Sequence, residues 1–268
     1  MTGAITGPMT GDDLLLRADA EGIVTLTLNR PAQRNALSVA LMEAMIAELD
    51  RIKTDARVRV VIVTGAGPSF CSGHDLKELR SDPSRAFYEK VFGLCSTMMQ
   101  RIVALPQPVI AAVQGIATAA GCQLVATCDL AVAAEESHFA TPGVQIGLFC
   151  STPMVALSRA VPRKQAMEML LTGDLIDGHE ALKIGLVNRL APSVQVMEET
   201  LALATEIVTK SPLTLKIGKQ AFYRQAELDL ADAYAYASKV MAENMMAMDA
   251  AEGIDAFLEK RKPEWKGC

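Results

Sequence analysis

The chain has 268 residues, half of them apolar, and a formal net charge of −5 with acidic and basic side chains interspersed. That length suits one large domain, or one domain with a helical appendage. The dispersed charge argues against nucleic acid or an anionic membrane surface as a partner, and no apolar run is long enough to cross a bilayer.

The opening MTGAITGPMTGDDLLL has no basic segment ahead of an apolar one and none of the arginines of a transit peptide. Residues 1–11 therefore read as a loose tail. Residues 14–17 and 23–28 read as two strands joined by a turn at 20–22, and the second alternates Val24, Leu26 and Leu28 with Thr25 and Thr27. Ser38 is placed to cap a helix over 39–53, in which Leu41, Met45, Ile46 and Leu49 share a face. A buried strand over 60–64 leads into GAGPSFCSGHDLKEL. Gly65 and Gly67 imitate a dinucleotide fingerprint, but Phe70 stands where its third glycine is required. Pro83 reads as the first-turn residue of a long amphipathic helix, stopped by Pro106 and Pro108.

Strand 109–113 then enters the central stretch 117–129, ATAAGCQLVATCD. Its first five residues carry almost no side chain; Cys122, Leu124, Val125 and Cys128 follow at helical spacing. Another buried strand covers 130–134, and 138–142 is extended up to a turn at Gly143. Helices follow over 151–160, with Ser151 as a candidate N-cap, and over 163–171. A short helix, a strand over 186–190 and helices from Pro192 to the end complete the chain. The methionine-rich run 241–248 fits a subunit contact or a core equally well. Six cysteines lie at 71, 95, 122, 128, 150 and 268 without a CxxC pair, which reads as reduced thiols in a cytoplasmic protein. The three histidines have no partner at ligand spacing, so no metal site is expected.

Two strand-to-helix turns, one ending at Gly73 and one at Gly121, carry the chemistry. The first turn of a helix has N–H groups without internal partners, at the positive end of the dipole. Two such turns brought together could hold an oxygen that gathers negative charge. Close helix packing through Ala and Gly is the other reading of the second turn taken alone.

The segments NRPAQRNAL, FCSGHDLKE and AVQG…GCQL…CDLAVA, in this order and spacing, resemble the enoyl-CoA hydratase/isomerase (crotonase) superfamily from about residue 23 to the end. The resemblance implies an α/β fold, a spiral of β-β-α turns over 12–195, with a C-terminal helical region over 196–268 that packs on neighbouring subunits. It implies a homo-trimer or a dimer of trimers. It implies an acyl-CoA or enoyl-CoA thioester as substrate, so that coenzyme A arrives with the substrate and no cofactor is permanently bound. The implied oxyanion donors are the backbone N–H groups of His74 and Ala120. Ser72, Gly73, His74, Asp75 and Leu76 would line the adenine and pantetheine, and Arg34, Lys77 and Lys260 are the candidate phosphate partners.

The resemblance also exposes a gap. Family hydratases use two glutamates for proton transfer, and the corresponding positions here are Gln123 and Gly143. An amide has no useful basicity near neutral pH and glycine has no side chain, so two-glutamate hydration is not expected. Gln123 retains the capacity to hydrogen-bond a water or a carbonyl. His74 is the candidate substitute for acid–base work, and Asp75 a candidate helix cap. Cys150 and Ser151 could approach the acyl group from the opposite wall, though a nucleophile needs a base beside it. The expected function is thus a thioester-binding enzyme of the family without its usual carboxylates. An acyl-CoA-binding oligomer without chemistry is the alternative.

Overall fold

The computed structural model describes residues 13–268; the tail expected over 1–11 lies outside the described residues. The chain opens with β1 (Leu15–Ala20) and β2 (Ile23–Leu28), paired antiparallel about a two-residue turn. Both turn residues, Glu21 and Gly22, have positive φ, the geometry that matches strand twist in a tight hairpin. Then follow α1 (Val39–Thr54), β3 (Val60–Gly65), α2 (Leu76–Ser81), α3 (Arg85–Ala104), β4 (Val109–Val113), β5 (Ile116–Thr118), α4 (Ala120–Thr127), β6 (Leu130–Ala134) and β7 (His138–Ala140). A 3-10 turn over Pro142–Ile146 leads to α5 (Pro153–Ala160), α6 (Arg163–Thr172), β8 (Ile176–Asp177), α7 (Gly178–Lys183) and β9 (Arg189–Ala191). Four helices close the chain: α8 (Val196–Val208), α9 (Pro212–Gln225), α10 (Leu230–Met245) and α11 (Met248–Leu258).

The strands form a six-stranded sheet, β1-β2-β3-β4-β6-β9, parallel after the first hairpin, and a three-stranded sheet, β5-β7-β8. Single bridges from Leu37 to His74 and from Cys71 to Ala117 extend the small sheet's pairing back toward earlier turns of the spiral. β3 and β4 are buried along their whole length, as strands covered on both faces must be. One face meets α1, α3 and α4 through Leu41, Met45, Leu49, Met98, Ile102 and Leu124. The other meets α8 through Val196, Leu203 and Ala204. The helical region expected from residue 196 therefore starts with a helix that covers the sheet.

Asp129 ties α9 to this core. It accepts from the Val109 N–H at 2.7 Å, the Lys219 Nζ at 2.6 Å and the Tyr223 hydroxyl at 2.8 Å. Burial pulls the Lys219 pKa down, against the opposing pull of the Asp129 charge.

Several boundaries differ from expectation. Pro83 lies ahead of α3 and not in its first turn; Ser84 caps the helix, accepting from the Phe87 N–H at 3.2 Å. Ser151 caps nothing: Thr152 holds the N-cap position of α5 and the Ser151 hydroxyl donates to the Phe149 carbonyl at 3.3 Å. The strand expected over 186–190 forms only at Arg189–Ala191, because residues 184–187 close the end of α7. The last ten residues are not helical. They fold back on the Asp249 carboxylate, which accepts from the Lys266 N–H at 2.7 Å. β5, hidden among small residues, was not expected as a strand.

Candidate active site

The segment from Arg30 to Leu37 clamps the first turn. Asn35 is fully buried; its amide donates to the carbonyls of Ala66 and Ser69, and its oxygen accepts from the Arg30 N–H. Arg30 reaches Asp75 at 2.8 Å. The Leu37 N–H donates to the Gly73 carbonyl at 2.7 Å, and the Asp75 N–H donates to the Leu37 carbonyl at 3.1 Å. Leu37 thus bonds the residues on either side of His74. In an extended chain alternate residues turn their polar groups to opposite sides, so the His74 N–H faces away from this clamp.

Asp75 also caps α2, accepting from the N–H groups of Lys77 at 3.1 Å and Glu78 at 3.2 Å. Burial pushes its carboxyl up, but the Arg30 guanidinium and these amides hold it below the usual carboxylate range.

The second turn is wedged against the first. The Thr118 N–H donates to the Cys71 carbonyl at 3.0 Å, and the Ala119 N–H to the Ala140 carbonyl at 2.9 Å. Gly121 lets α4 approach the neighbouring chain: a Cβ there would lie 2.0 Å from the Cys71 carbonyl oxygen. Gly73 has φ +97°, and a Cβ on it would lie 2.8 Å from the Ala119 Cβ and 3.3 Å from the Ala120 nitrogen. The two turns therefore touch. Ala120 is the first residue of α4, so its N–H has no helical partner. Among the described residues, neither the His74 N–H nor the Ala120 N–H has an acceptor. Both residues line one cavity of about 430 Å³.

Ala119 pays for this arrangement with strain. Its φ of 51° and ψ of −118° lie where glycine is at ease and a Cβ is crowded. An alanine in this turn leaves the Ala120 donor in place and stores the cost in the residue before it.

The rest of the cavity is mostly apolar, with Ser72, Gln145, Ser151 and Thr152 as its neutral polar side chains. Leu76, Leu79, Phe92, Ile146, Leu148 and Phe149 line it, and among the described residues no Asp, Glu, Lys or Arg does. The His74 ring meets Phe92 edge-on, with centroids 5.3 Å apart. Its Nε2 is buried without a partner, and burial lowers its pKa to about 4. The imidazole is therefore neutral at pH 7, and it is not the ready proton donor that a free histidine would be. Gly143, Cys150 and Ser151 form the opposite wall. A Cβ on Gly143 would lie 2.8 Å from the Cys150 sulfur and 2.6 Å from the Leu148 carbonyl oxygen, so the space of a side chain there is already taken. Burial pushes the Cys150 thiol up, away from the thiolate form.

Gln123 does not line this cavity. Its side chain is 4% exposed and points into the core, where the Cys95 thiol approaches its oxygen at 3.9 Å. Of the residues implied for the coenzyme, Ser72 and Leu76 line the cavity with His74. Arg34 lies beside them, its carbonyl accepting from the Ser72 N–H at 3.0 Å. Arg34 and Lys77 are exposed and outside the cavity lining. Lys260, exposed just beyond α11, is likewise not part of it. Phe92 was missed in the sequence. It lies off the buried stripe of α3, and a large aromatic on the wetter side of an amphipathic helix was the available signal.

A spiral of strand-strand-helix turns, with two free main-chain donors facing an apolar cavity, defines the class. The enoyl-CoA hydratase/isomerase family model matches residues 18–268, and the chain belongs to that family. It is similar to an enoyl-CoA hydratase of Mycobacterium smegmatis of solved structure, with 52% identity, a TM-score of 0.93, and 95% of this chain and 99% of that one covered. It is also similar to the human enoyl-CoA hydratase domain-containing protein 3, mitochondrial, with 48% identity over 91% of this chain and 81% of that protein. The solved structure of the human protein matches with a TM-score of 0.91, covering 94% of this chain and all of that one. The 2,3-dehydroadipyl-CoA hydratase of Escherichia coli K12 is 35% identical over 94% of this chain and 98% of its own. The fold is accordingly the crotonase fold.

These relatives correct the expected cytoplasmic location. The proteins of the domain-containing protein 3 group carry "mitochondrial" in their names, in rat and human alike. Free cysteines mark a reducing environment, and they do not separate the cytosol from other reducing compartments.

Proposed function

We propose that the protein binds an acyl-CoA thioester with its carbonyl oxygen between the His74 and Ala120 N–H groups, and acts on it by stabilising an enolate. The observation that carries this reading is the pair of acceptor-free donors on one cavity wall. A donor pair already in place stabilises developing charge without reorganising, which is the largest single contribution in many acyl-transfer sites. The apolar lining suits a hydrocarbon acyl group. A carboxylated acyl chain, such as the one named for the Escherichia coli relative, would meet no cation among the described lining residues. Arg34, Lys77 and Lys260 are the proposed phosphate partners of the coenzyme. A homo-trimer or dimer of trimers is part of the proposal. It is supported by the exposed apolar side chains of the last helices, Tyr234, Met241, Met245 and Phe257 among them.

The missing glutamates set the reaction apart from two-carboxylate hydration. Isomerisation, thioester hydrolysis and an atypical hydration are the candidate reactions, and each needs a proton acceptor other than a carboxylate of the described lining. The absence of carboxylates from the described lining favours a second reading, a non-catalytic acyl-CoA-binding oligomer. One experiment separates the two. Purified protein is titrated calorimetrically with saturated, 2-enoyl and 3-enoyl CoA esters, and turnover of each is followed by chromatography. Binding with turnover supports the enzyme, binding alone supports the binder, and failure to bind any ester removes both.

A further inference from the structure

A second cavity, of about 400 Å³, lies at the other end of the large sheet. The donor turns follow the C-terminal ends of β3 and β4. This cavity lies ahead of their N-terminal ends, between residues 53–59, residues 106–108 and the start of α9. Its charge runs against that of the chain. Lys53, Arg59, Lys216 and Lys266 line it with a single carboxylate, Asp55, in a protein of net charge −5.

Asp55 is already engaged, accepting from Arg57 at 2.9 and 2.8 Å. Among the described residues, none of the four cations has a carboxylate oxygen within 4.0 Å. Two buried polar atoms of the lining residues have no partner, Arg59 Nε and Gln107 Oε1, and Gln107 is only 8% exposed. Arg59 is fixed from behind, donating to the carbonyls of Val208 at 3.3 Å and Lys210 at 2.6 Å. Four cations without carboxylate partners around one cavity call for an anionic ligand.

We propose that this cavity binds a small organic phosphate of mononucleotide size, with the phosphate held by Lys53, Arg59, Lys216 and Lys266. The volume falls in the range of small-molecule clefts, about 300–1,000 Å³. Arg and Lys are the side chains that meet phosphate best. The site is separate from the thioester cavity, with which it shares no lining residue.

The test is calorimetry on the full chain at low ionic strength, with adenosine monophosphate and inorganic pyrophosphate as probes. Binding is expected to weaken on the order of tenfold or more in Lys53→Gln/Lys216→Gln, and to weaken with added salt. Lys90→Gln/Lys164→Gln, which removes two exposed lysines elsewhere, should leave it unchanged. Titration with CoA identifies the source of the nucleotide. Two CoA sites per chain, falling to one in the first double variant, assign the nucleotide end of CoA; a single site unaffected by it assigns free mononucleotides. No binding of either probe, or equal binding by both double variants, overturns the proposal.

Discussion

The two walls of the apolar cavity differ in kind. The wall of Gly73, His74, Ala119 and Ala120 presents main-chain donors, and neighbouring side chains exist to aim them: Asn35, Arg30 and Asp75 hold one turn, and Gly121 lets the other close in. The opposite wall of Gly143, Leu148 and Cys150 has no ionisable group in its charged form. A main-chain donor survives exchange of its own side chain, provided the backbone path is kept. A side-chain acid does not survive exchange at all. One wall of the cavity is therefore set by glycine positions and chain crossings, and the other presents no charged side chain.

Breaking the donor wall should have the largest effect. In Gly73→Ala the new methyl meets Ala119, and the positive φ is lost to a residue that disfavours it. The His74 and Ala120 N–H groups then no longer converge. Turnover of the best ester, or affinity for it if there is no turnover, should fall about a hundred- to a thousandfold, the effect of losing one oxyanion donor. Steady-state kinetics or calorimetry on a folded variant measures this. Near-wild-type values would mean that the turns do not act as a pair.

His74 links the same wall to pH. Its folded-state pKa is about 4 because the ring is buried, while an unfolded-state histidine titrates near about 6.5. Between those values the unfolded chain binds the extra proton. The stability contribution is therefore complete above pH 6.5 and is lost as the pH falls toward 4, by about 3 kcal/mol at most. Urea unfolding of wild type and His74→Leu at pH 7.5 and pH 5 should show a larger acid loss in the wild type. Parallel losses would place the imidazole in water.

Much of the donor wall was legible from the sequence, because glycines and short side chains at strand-to-helix junctions state a backbone requirement directly. The opposite wall was legible only as a gap. Nothing local shows that the space beside Gly143 is filled by Cys150, seven residues on, or that Gln123 turns toward Cys95 and away from the cavity. Those facts depend on which face of α4 meets α3, a tertiary choice. The strand at 116–118 leaves no mark in the sequence for a related reason: three residues paired to distant partners carry no periodicity. The clamp role of Arg30 and Asn35 was present as the motif NRPAQRNAL, but its targets lie more than thirty residues downstream.

Gln123→Glu sharpens the comparison by offering a carboxylate at this position. The side chain is buried beside Cys95, so the new group gains no access to an acyl β-carbon. Hydration of crotonyl-CoA should not rise. Burial would lift the new carboxyl above its unfolded pKa of about 4.3, so the variant should be destabilised by about 2 kcal/mol at pH 8 and recover as the pH falls toward 5. A gain in hydration at full stability would show that α4 can turn this position toward the substrate.

The smallest effect belongs to Ala119, and it separates strain from function within the donor wall. Held at φ 51° and ψ −118°, this alanine carries a cost of about 1–3 kcal/mol that glycine would not. Glycine gives some of that back through the greater freedom of its unfolded chain. Ala119→Gly should therefore be stabilised by about 1 kcal/mol in urea unfolding. The same change removes the methyl that fills the space against Gly73, which should loosen the spacing of the two donors. A variant that is more stable yet binds its ester a few-fold more weakly would show that the methyl group holds the turns in register at the expense of backbone comfort. A variant that gains both stability and affinity would show that the strain serves nothing at this site.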